Sequence, residues 1–444
     1  MKTPIIDFVS EYCKKEAQRL HMPGHKGKEF LGFEKYDITE IKGADSLFEA
    51  SGIIRESEKN ASEIFGCNTF YSTEGSSLCI RAMLYLAVMG KKDPLILAGR
   101  NSHKTFLSAA ALLDFDVRWI YPNEKSGFLS CNVSAEDVER EILRLNKKPD
   151  AVYLTSPDYL GCVLNIEEIS KVCRKYGVLL LVDNAHGAYL KFLSSSLHPM
   201  DSGADMCCDS AHKTLPCLTG GAYLHISKNA DLRLAENAKE ALSLFASTSP
   251  SYLILQSLDM MNKYLSEGYK AVLEKYIGRL CELRQSLEKH GFETVSQEPM
   301  KITVNAKKYG YTGYELGKIL EENGVFPEFY DSDFLVLMFT PQIEDWEKIK
   351  TVLLSVPKRE EIKSEYPSFV KPLRVMSIRQ ATMSEKELIS VKDSLGRVLA
   401  SPSVSCPPAV PVAICGEVID EKVINAFLYY GVEKCFVVKQ NGEI

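Results

Sequence analysis

Val178-Leu179-Leu180-Leu181-Val182-Asp183-Asn184-Ala185-His186-Gly187 runs from an unbroken apolar stretch into an acid and a polar turn. Apolar residues on both faces make 178–182 a strand covered on both sides, the pattern of a parallel sheet. Just upstream a helix is expected from Asn165. Asn165 and Glu168 form a capping pair, Ile166, Ile169, Val172, Cys173 and Tyr176 share one face, and Gly177 supplies the stop. Runs at 94–98 (PLILA), 117–121 (VRWIY), 151–155 (AVYLT), 206–209 (MCCD) and 222–226 (AYLHI) read as further strands. Strand, helix, strand in this order implies a right-handed crossover. The expected class is α/β, a mostly parallel sheet with helices on both faces. Beyond about residue 260, helical patterns at 314–323 and 344–354 bracket a strand-like 334–339, and a charged, Pro-marked stretch at 358–371 reads as a loop. These describe a second, smaller α/β domain.

The 444 residues can bury a sizeable core, and 45% hydrophobic with 25% charged residues excludes a disordered, collagen-like or coiled-coil chain. A net charge of −6 with no basic stripe argues against a nucleic-acid partner. An acid at Asp7 interrupts the N-terminal apolar run before a signal core can form, so a cytoplasmic location is expected. The longest uncharged stretch, 398–416, contains Pro402, Pro407, Pro408 and Pro411 and cannot cross a membrane as a helix. Thirteen cysteines without a Cys-x-x-Cys pair read as reduced thiols and small core residues. No metal site is expected: His21 and His25 have the spacing of helical zinc ligands, but Pro23 and Gly24 break that helix.

No dinucleotide fingerprint, P-loop or nucleophile elbow is present. What remains lies at strand ends. Asp183 closes one strand, and thirty residues later Ser210-Ala211-His212-Lys213 follows the next. In an open parallel sheet these carboxyl ends face the ligand crevice. A lysine and an acid placed there suit pyridoxal 5'-phosphate, since the amine forms a Schiff base and the carboxylate keeps the pyridine nitrogen protonated. Thr73-Glu74-Gly75-Ser76-Ser77, opening an apolar helix over 78–88, offers hydroxyls and a helix N-terminus to the phosphate. The plainer readings are that Asp183 caps a helix and that the Ser-x-His-Lys is fortuitous. His103 is either the cap of the helix that follows it or a ring stacked on the cofactor.

Together these segments resemble the Orn/Lys/Arg decarboxylases, pyridoxal-phosphate enzymes of the aspartate-aminotransferase fold. The resemblance is carried by His21-Met22-Pro23-Gly24-His25-Lys26, Arg100-Asn101-Ser102-His103-Lys104, Asp183 to Gly187, Ser210 to Pro216, Ser247-Thr248-Ser249-Pro250-Ser251-Tyr252, and Cys406-Pro407-Pro408-Ala409-Val410-Pro411 followed by Gly416-Glu417. It is similar to the small members without an N-terminal receiver-like domain. It implies an N-terminal segment over 1–45, a cofactor domain over 46–265 and a C-terminal domain over 266–444. By position, Lys213 would carry the cofactor, Asp183 would pair with the pyridine nitrogen and His103 would stack on the ring. Ser76, Ser77, Ser210 and His212 would hold the phosphate, and His186 matches a position near the cofactor's hydroxyl. Thr248 would reach the phosphate in a partner subunit, because these enzymes are homodimers with interfacial active sites. The implied reaction is α-decarboxylation of arginine, lysine or ornithine to an amine of polyamine metabolism, with Lys213 or His212 returning a proton to the α-carbon.

The chain departs from the family pattern at Glu74 (an asparagine elsewhere), Ala50 (a proline) and Ala409 (a glycine). A carboxylate about 6 Å from a phosphate dianion costs on the order of several kcal/mol, so Glu74 is expected to point away or meet a cation such as the substrate's distal group. On that basis Glu74→Gln is expected to keep the fold and tighten cofactor binding. Glu417, Asp331 and Asp333 are candidate acids for the distal group, with a solvated charge or a cap as the plainer reading of each. An aminotransferase or β-eliminating lyase, or a non-catalytic cofactor-binding relative, would use the same Asp and Lys.

Overall fold

The computed structural model describes residues 1–122, 127–343, 345–363, 366, 367, 369, 371–402 and 409–440. Its strands are β1 (Asn68–Ser72), β2 (Leu95–Gly99), β3 (Asp116–Ile120), β4 (Ala151–Thr155), β5 (Leu179–Asp183), β6 (Met206–Asp209), β7 (Ala222–Ile226), β8 (Lys301–Asn305), β9 (Phe329–Tyr330), β10 (Phe334–Met338), β11 (Lys386–Ser390) and β12 (Lys434–Val438). Each strand expected between 94 and 226 forms within one residue of its expected bounds. The helix expected from Asn165 is Ile166–Tyr176, with Ile166, Ile169 and Cys173 buried. In the C-terminal half, helices Gly313–Glu322 and Trp346–Ser355 flank β10 as the periodicity predicts. The Cys406-Pro407-Pro408 motif lies outside the described residues.

The chain divides into two units, one of residues 1–89 with 166–274 and the other of 90–165 with 275–444. In the first, β5 and β6 are parallel, with Leu181 opposite Met206 and Asp183 opposite Cys208. β7 runs antiparallel to β6, and β1 antiparallel to β7. The twelve residues between β6 and β7 contain only the four-residue helix Ala211–Thr214. That connection is too short to cover the sheet and return in parallel, so the chain reverses. β1 escapes the apolar-run criterion because Asn68, Thr69 and Ser72 make it half polar. Helix Gly75–Val88 buries ten of its residues and packs against β1, β5, β6 and β7. The burial orients its N-terminal turn.

In the second unit, β2 is parallel to both β3 and β4. Two antiparallel sheets, β8-β10-β9 and the pair β11-β12, form the C-terminal part. Its core includes Phe128, Val336, Val391, Leu399, Phe427 and Val437. All twelve described cysteines are free thiols. Among the described residues, no helix is long and apolar enough to cross a membrane.

Candidate active site

Because β5 and β6 are parallel and in register at Asp183 and Cys208, their carboxyl ends emerge side by side. Asp183 is 3% exposed at the last position of β5. Its Oδ1 accepts from the Ala185 N–H (3.2 Å) and the Cys208 thiol (3.7 Å). The Asn184 N–H donates to Cys208 O (3.0 Å), which carries the pairing one residue past the strand. After β6, Ser210 is the N-cap residue of helix Ala211–Thr214, which carries Lys213. Lys213 Nζ lies 3.1 Å from His186 Nε2. The fold therefore brings Asp183, His186 and Lys213 onto two adjacent turns of one unit.

The phosphate candidates gather at the start of helix Gly75–Val88. Ser210 Oγ donates to Ser76 Oγ at 2.8 Å, and Ser77 is the next helical residue, half-buried. The Gly75 N–H donates to Gly220 O (2.8 Å). Gly220 has φ +100°, and a Cβ there would come within 2.8 Å of Thr73 O, so a side chain at this position would force the turns apart. His212 lies over the same turn: a Cβ on Gly75 would be 3.9 Å from its Cε1. His212 Nδ1 donates to Gly221 O (3.0 Å), and burial, assisted by the Lys213 charge, holds the imidazole below its ordinary value against that bond. Two hydroxyls, an imidazole and the first-turn amides, which lack intrahelical acceptors, form a cradle of the right chemistry for a phosphate.

Three residues sit differently. Thr248 is exposed, in a loop anchored where the Ser247 N–H donates to Glu74 Oε1 (2.8 Å). Of the two expectations for Glu74, pointing away or meeting a cation, the structure shows an exposed carboxylate that accepts from a backbone amide. His103 belongs to the other unit, where it is the N-cap of helix Lys104–Leu113 and its Nδ1 accepts from the Thr105 N–H at 3.2 Å. The capping reading holds for that nitrogen. In the His21 to Lys26 segment, which forms no helix, Tyr12 OH is 2.6 Å from His21 Nε2 and His25 Nε2 is 3.3 Å from Asp37.

The candidate distal-group acids separate clearly. Glu417 accepts from the Ile414 N–H (2.7 Å) and pairs with Arg100 (3.5 Å), a fully buried guanidinium that also donates to Pro411 O and Val412 O. Asp333 is taken by Lys307 (2.7 Å) and Tyr429 (2.8 Å). Asp331 instead lines a cavity of about 250 Å³ with Glu328, Tyr314, Tyr429, Tyr430 and Phe128. Burial pushes its carboxyl up to about 6, although its Oδ1 accepts the Asp333 and Phe334 N–H groups, each at 2.7 Å.

Sequence reasoning missed the polar cluster behind the Asp183 and Lys213 turns, made of Asn184, His198, Asp209 and His225. A usable signal was present, an acid and a histidine inside the otherwise apolar strands MCCD and AYLHI.

A lysine and an acid at adjacent strand ends beside a helix N-terminus are a donor set that fits pyridoxal phosphate, and the fold is that of the aspartate-aminotransferase class. Residues 3–299 match the major domain of the Orn/Lys/Arg decarboxylases, and the chain belongs to that family, whose members are amino-acid carboxy-lyases. It is 28% identical to the uncharacterized protein YaaO of Bacillus subtilis, over 96% of this chain and 93% of that one. With an arginine decarboxylase of the same organism it shares 27% identity, over 96% of this chain and 92% of the relative. Lysine decarboxylase A from Pseudomonas aeruginosa superposes with a TM-score of 0.80 at 18% identity, covering 98% of this chain and 80% of that structure, a likeness of fold.

Proposed function

We propose that this protein is a pyridoxal-phosphate-dependent α-decarboxylase of a basic amino acid, arginine, lysine or ornithine. The observation that carries the reading is the meeting, in one unit, of Lys213 and His186 with Asp183 and with the Ser76, Ser210 and His212 cradle. The cofactor, when bound, supplies an electron sink for the pair left behind as CO₂ departs. The chain's own part is positioning and proton handling. Lys213 attaches the cofactor, Asp183 presents its carboxylate from a rigid strand end to hold the ring nitrogen protonated, and His186 stands beside the Lys213 amine. Ser76, Ser77, Ser210 and His212 take the phosphate. His212 already spends its Nδ1–H on Gly221 O, so it can donate through Nε2 only when protonated, which a bound phosphate dianion favours. The ring-stacking role of His103 is the one the family resemblance implies, and Lys213 or His212 returns the α-proton.

Asp331 is the acid we assign to the substrate's cationic end. Asp331 lines a described cavity of its own unit, and aromatic walls suit an alkylammonium or guanidinium. The relatives named as arginine and lysine decarboxylases support a basic substrate. We further propose a cytoplasmic homodimer in which Thr248 serves the partner's site. Leu20, Met22, Phe30 and Leu31 support this, at 95%, 66%, 78% and 76% exposure, as an apolar surface suited to burial against a second copy.

The test is incubation of the purified protein, loaded with pyridoxal phosphate, with each of the three amino acids while CO₂ and amine are followed. Equimolar CO₂ and amine, lost in Lys213→Ala, is the expected result. A keto acid or ammonia would place the protein among the aminotransferases or lyases, and no turnover by any basic amino acid would sink the assignment. Asp331→Asn is expected to raise KM on the order of tenfold or more, the scale of one lost charge-assisted contact, with a smaller change in kcat.

A further inference from the structure

Asp209, the last residue of β6, is fully buried, and both its oxygens are engaged. Oδ1 accepts from Asn184 Nδ2 (2.6 Å), and Oδ2 accepts from His198 Nε2 (3.0 Å) and His225 Nε2 (3.1 Å). A buried carboxylate needs hydrogen-bond partners on both oxygens, and the three bonds supply them. The sequence neighbours of the cluster are the site itself. Asn184 follows Asp183, and Ser210, which follows Asp209, opens the turn bearing His212 and Lys213. One buried anion therefore ties together the two turns whose spacing sets where Lys213 and Asp183 meet the cofactor.

His198, Cys207 and Asp209 also present ligand atoms within 4.8 Å of one another, the spacing of a metal site. The Met200 N–H, however, reaches His198 Nδ1 at 3.4 Å, which makes Nδ1 the acceptor and Nε2 the protonated nitrogen. A metal-binding imidazole needs the reverse arrangement. His225 turns its other nitrogen to Thr69 Oγ1 (2.9 Å) and Cys67 Sγ (3.5 Å). The cluster is built as a hydrogen-bonded brace.

We propose that Asp209 is a positioning residue: clamped by His198 and His225, it holds Asn184 and so fixes the separation between the Asp183 turn and the Lys213 turn. The inference rests on the reading that Lys213 carries the cofactor. Two features of the Asn184 side chain agree with it. A Cβ on Gly187 would fall 2.0 Å from Asn184 Oδ1, so the turn is packed around this amide. Asn184 Oδ1 itself is buried without a hydrogen-bond partner, so the bond to Asp209 orients the group.

That free oxygen makes the brace testable. In Asp209→Asn, a flipped Asn184 amide can accept from the new Nδ2 while the new oxygen still accepts from both histidines. In Asp209→Ala and Asn184→Ala the tie is gone. The readouts are the rate at which Lys213 of the apoprotein is trapped by pyridoxal phosphate and borohydride, the visible band of the holoenzyme across pH, and kcat and KM separately. Both alanine variants are expected to slow trapping and lower kcat by on the order of tenfold to a hundredfold, as a reacting group displaced by about 1 Å does, with KM little changed. Their visible band should also titrate at a shifted pH, and Asp209→Asn should recover most of the loss. If Asp209→Ala does not fold, Asn184→Ala, which leaves the Asp209 and histidine bonds in place, decides the matter. Wild-type trapping, spectrum and kcat in Asn184→Ala would overturn the positioning role alone. A wild-type apoprotein whose Lys213 is never trapped would overturn the cofactor reading, and this inference with it.

Discussion

Ala409 has φ +56°, a left-handed conformation that a side chain disfavours, and its carbonyl accepts from the Lys104 N–H (2.9 Å) next to His103. The family's glycine at this position is thus explained by backbone geometry, and the alanine here carries strain. Ala409→Gly should stabilise the protein by about 0.5–1 kcal/mol once the greater freedom of glycine in the unfolded chain is subtracted, which thermal unfolding can check. His225 offers a second test at this scale. Burial alone would lower it, but the adjacent Cys67 and Asp209 outweigh burial and raise it from 6.5 to about 9. The folded state therefore prefers the imidazolium. This contribution to stability is complete below pH 6.5 and is lost as pH rises through about 9. Urea denaturation across that window should show declining stability, and His225→Gln should flatten the decline.

Two carboxylates hold elements from outside them. Helix Ile53–Phe65 begins at Gly52, which has no capping side chain, and Asp45 fills the role by accepting from the Gly52 (2.8 Å) and Ile54 (3.0 Å) N–H groups with one oxygen and from Ser51 (2.9 Å) with the other. Partial burial opposes ionisation, yet the backbone bonds prevail and hold Asp45 below its ordinary value. Asp45→Ala should cost about 1–2 kcal/mol in denaturant unfolding, like the loss of other N-caps. The wild-type advantage should be present above the ordinary carboxylate range and vanish as pH falls through the folded value. Glu74 acts likewise on the Thr248 loop. Glu74→Gln keeps an acceptor for the Ser247 N–H and removes a charge near the phosphate cradle, so cofactor binding should tighten. Glu74→Ala removes the acceptor and should weaken retention of the cofactor in the dimer, which separates loop anchoring from charge in a cofactor titration.

At the scale of the whole protein, the proposed homodimer would bury the exposed apolar residues near the N-terminus. Phe30→Ser with Leu31→Ser should shift the sedimenting species from dimer toward monomer and lower cofactor retention in parallel. Unchanged sedimentation would place the interface elsewhere.

The sequence by itself determined the strands from β2 to β7, the helix after Asn165, and the placement of Asp183 and Lys213 at strand ends. Each is written in local periodicity or in a short connection, which the chain cannot evade. It left the direction of β7 unread, although the twelve-residue link from β6 carried the information, and it passed over the half-polar β1. Only the tertiary structure gives the three acids different surroundings. Glu417, Asp331 and Asp333 look alike in sequence, and what separates them is that Arg100, distant along the chain, reaches one, Lys307 and Tyr429 take another, and a cavity opens on the third. The same holds for Asp209, whose meaning depends on Asn184, His198 and His225 converging from three other segments. Charge pairing inside a fold is set by which segments pack together, and that is a property of the folded whole.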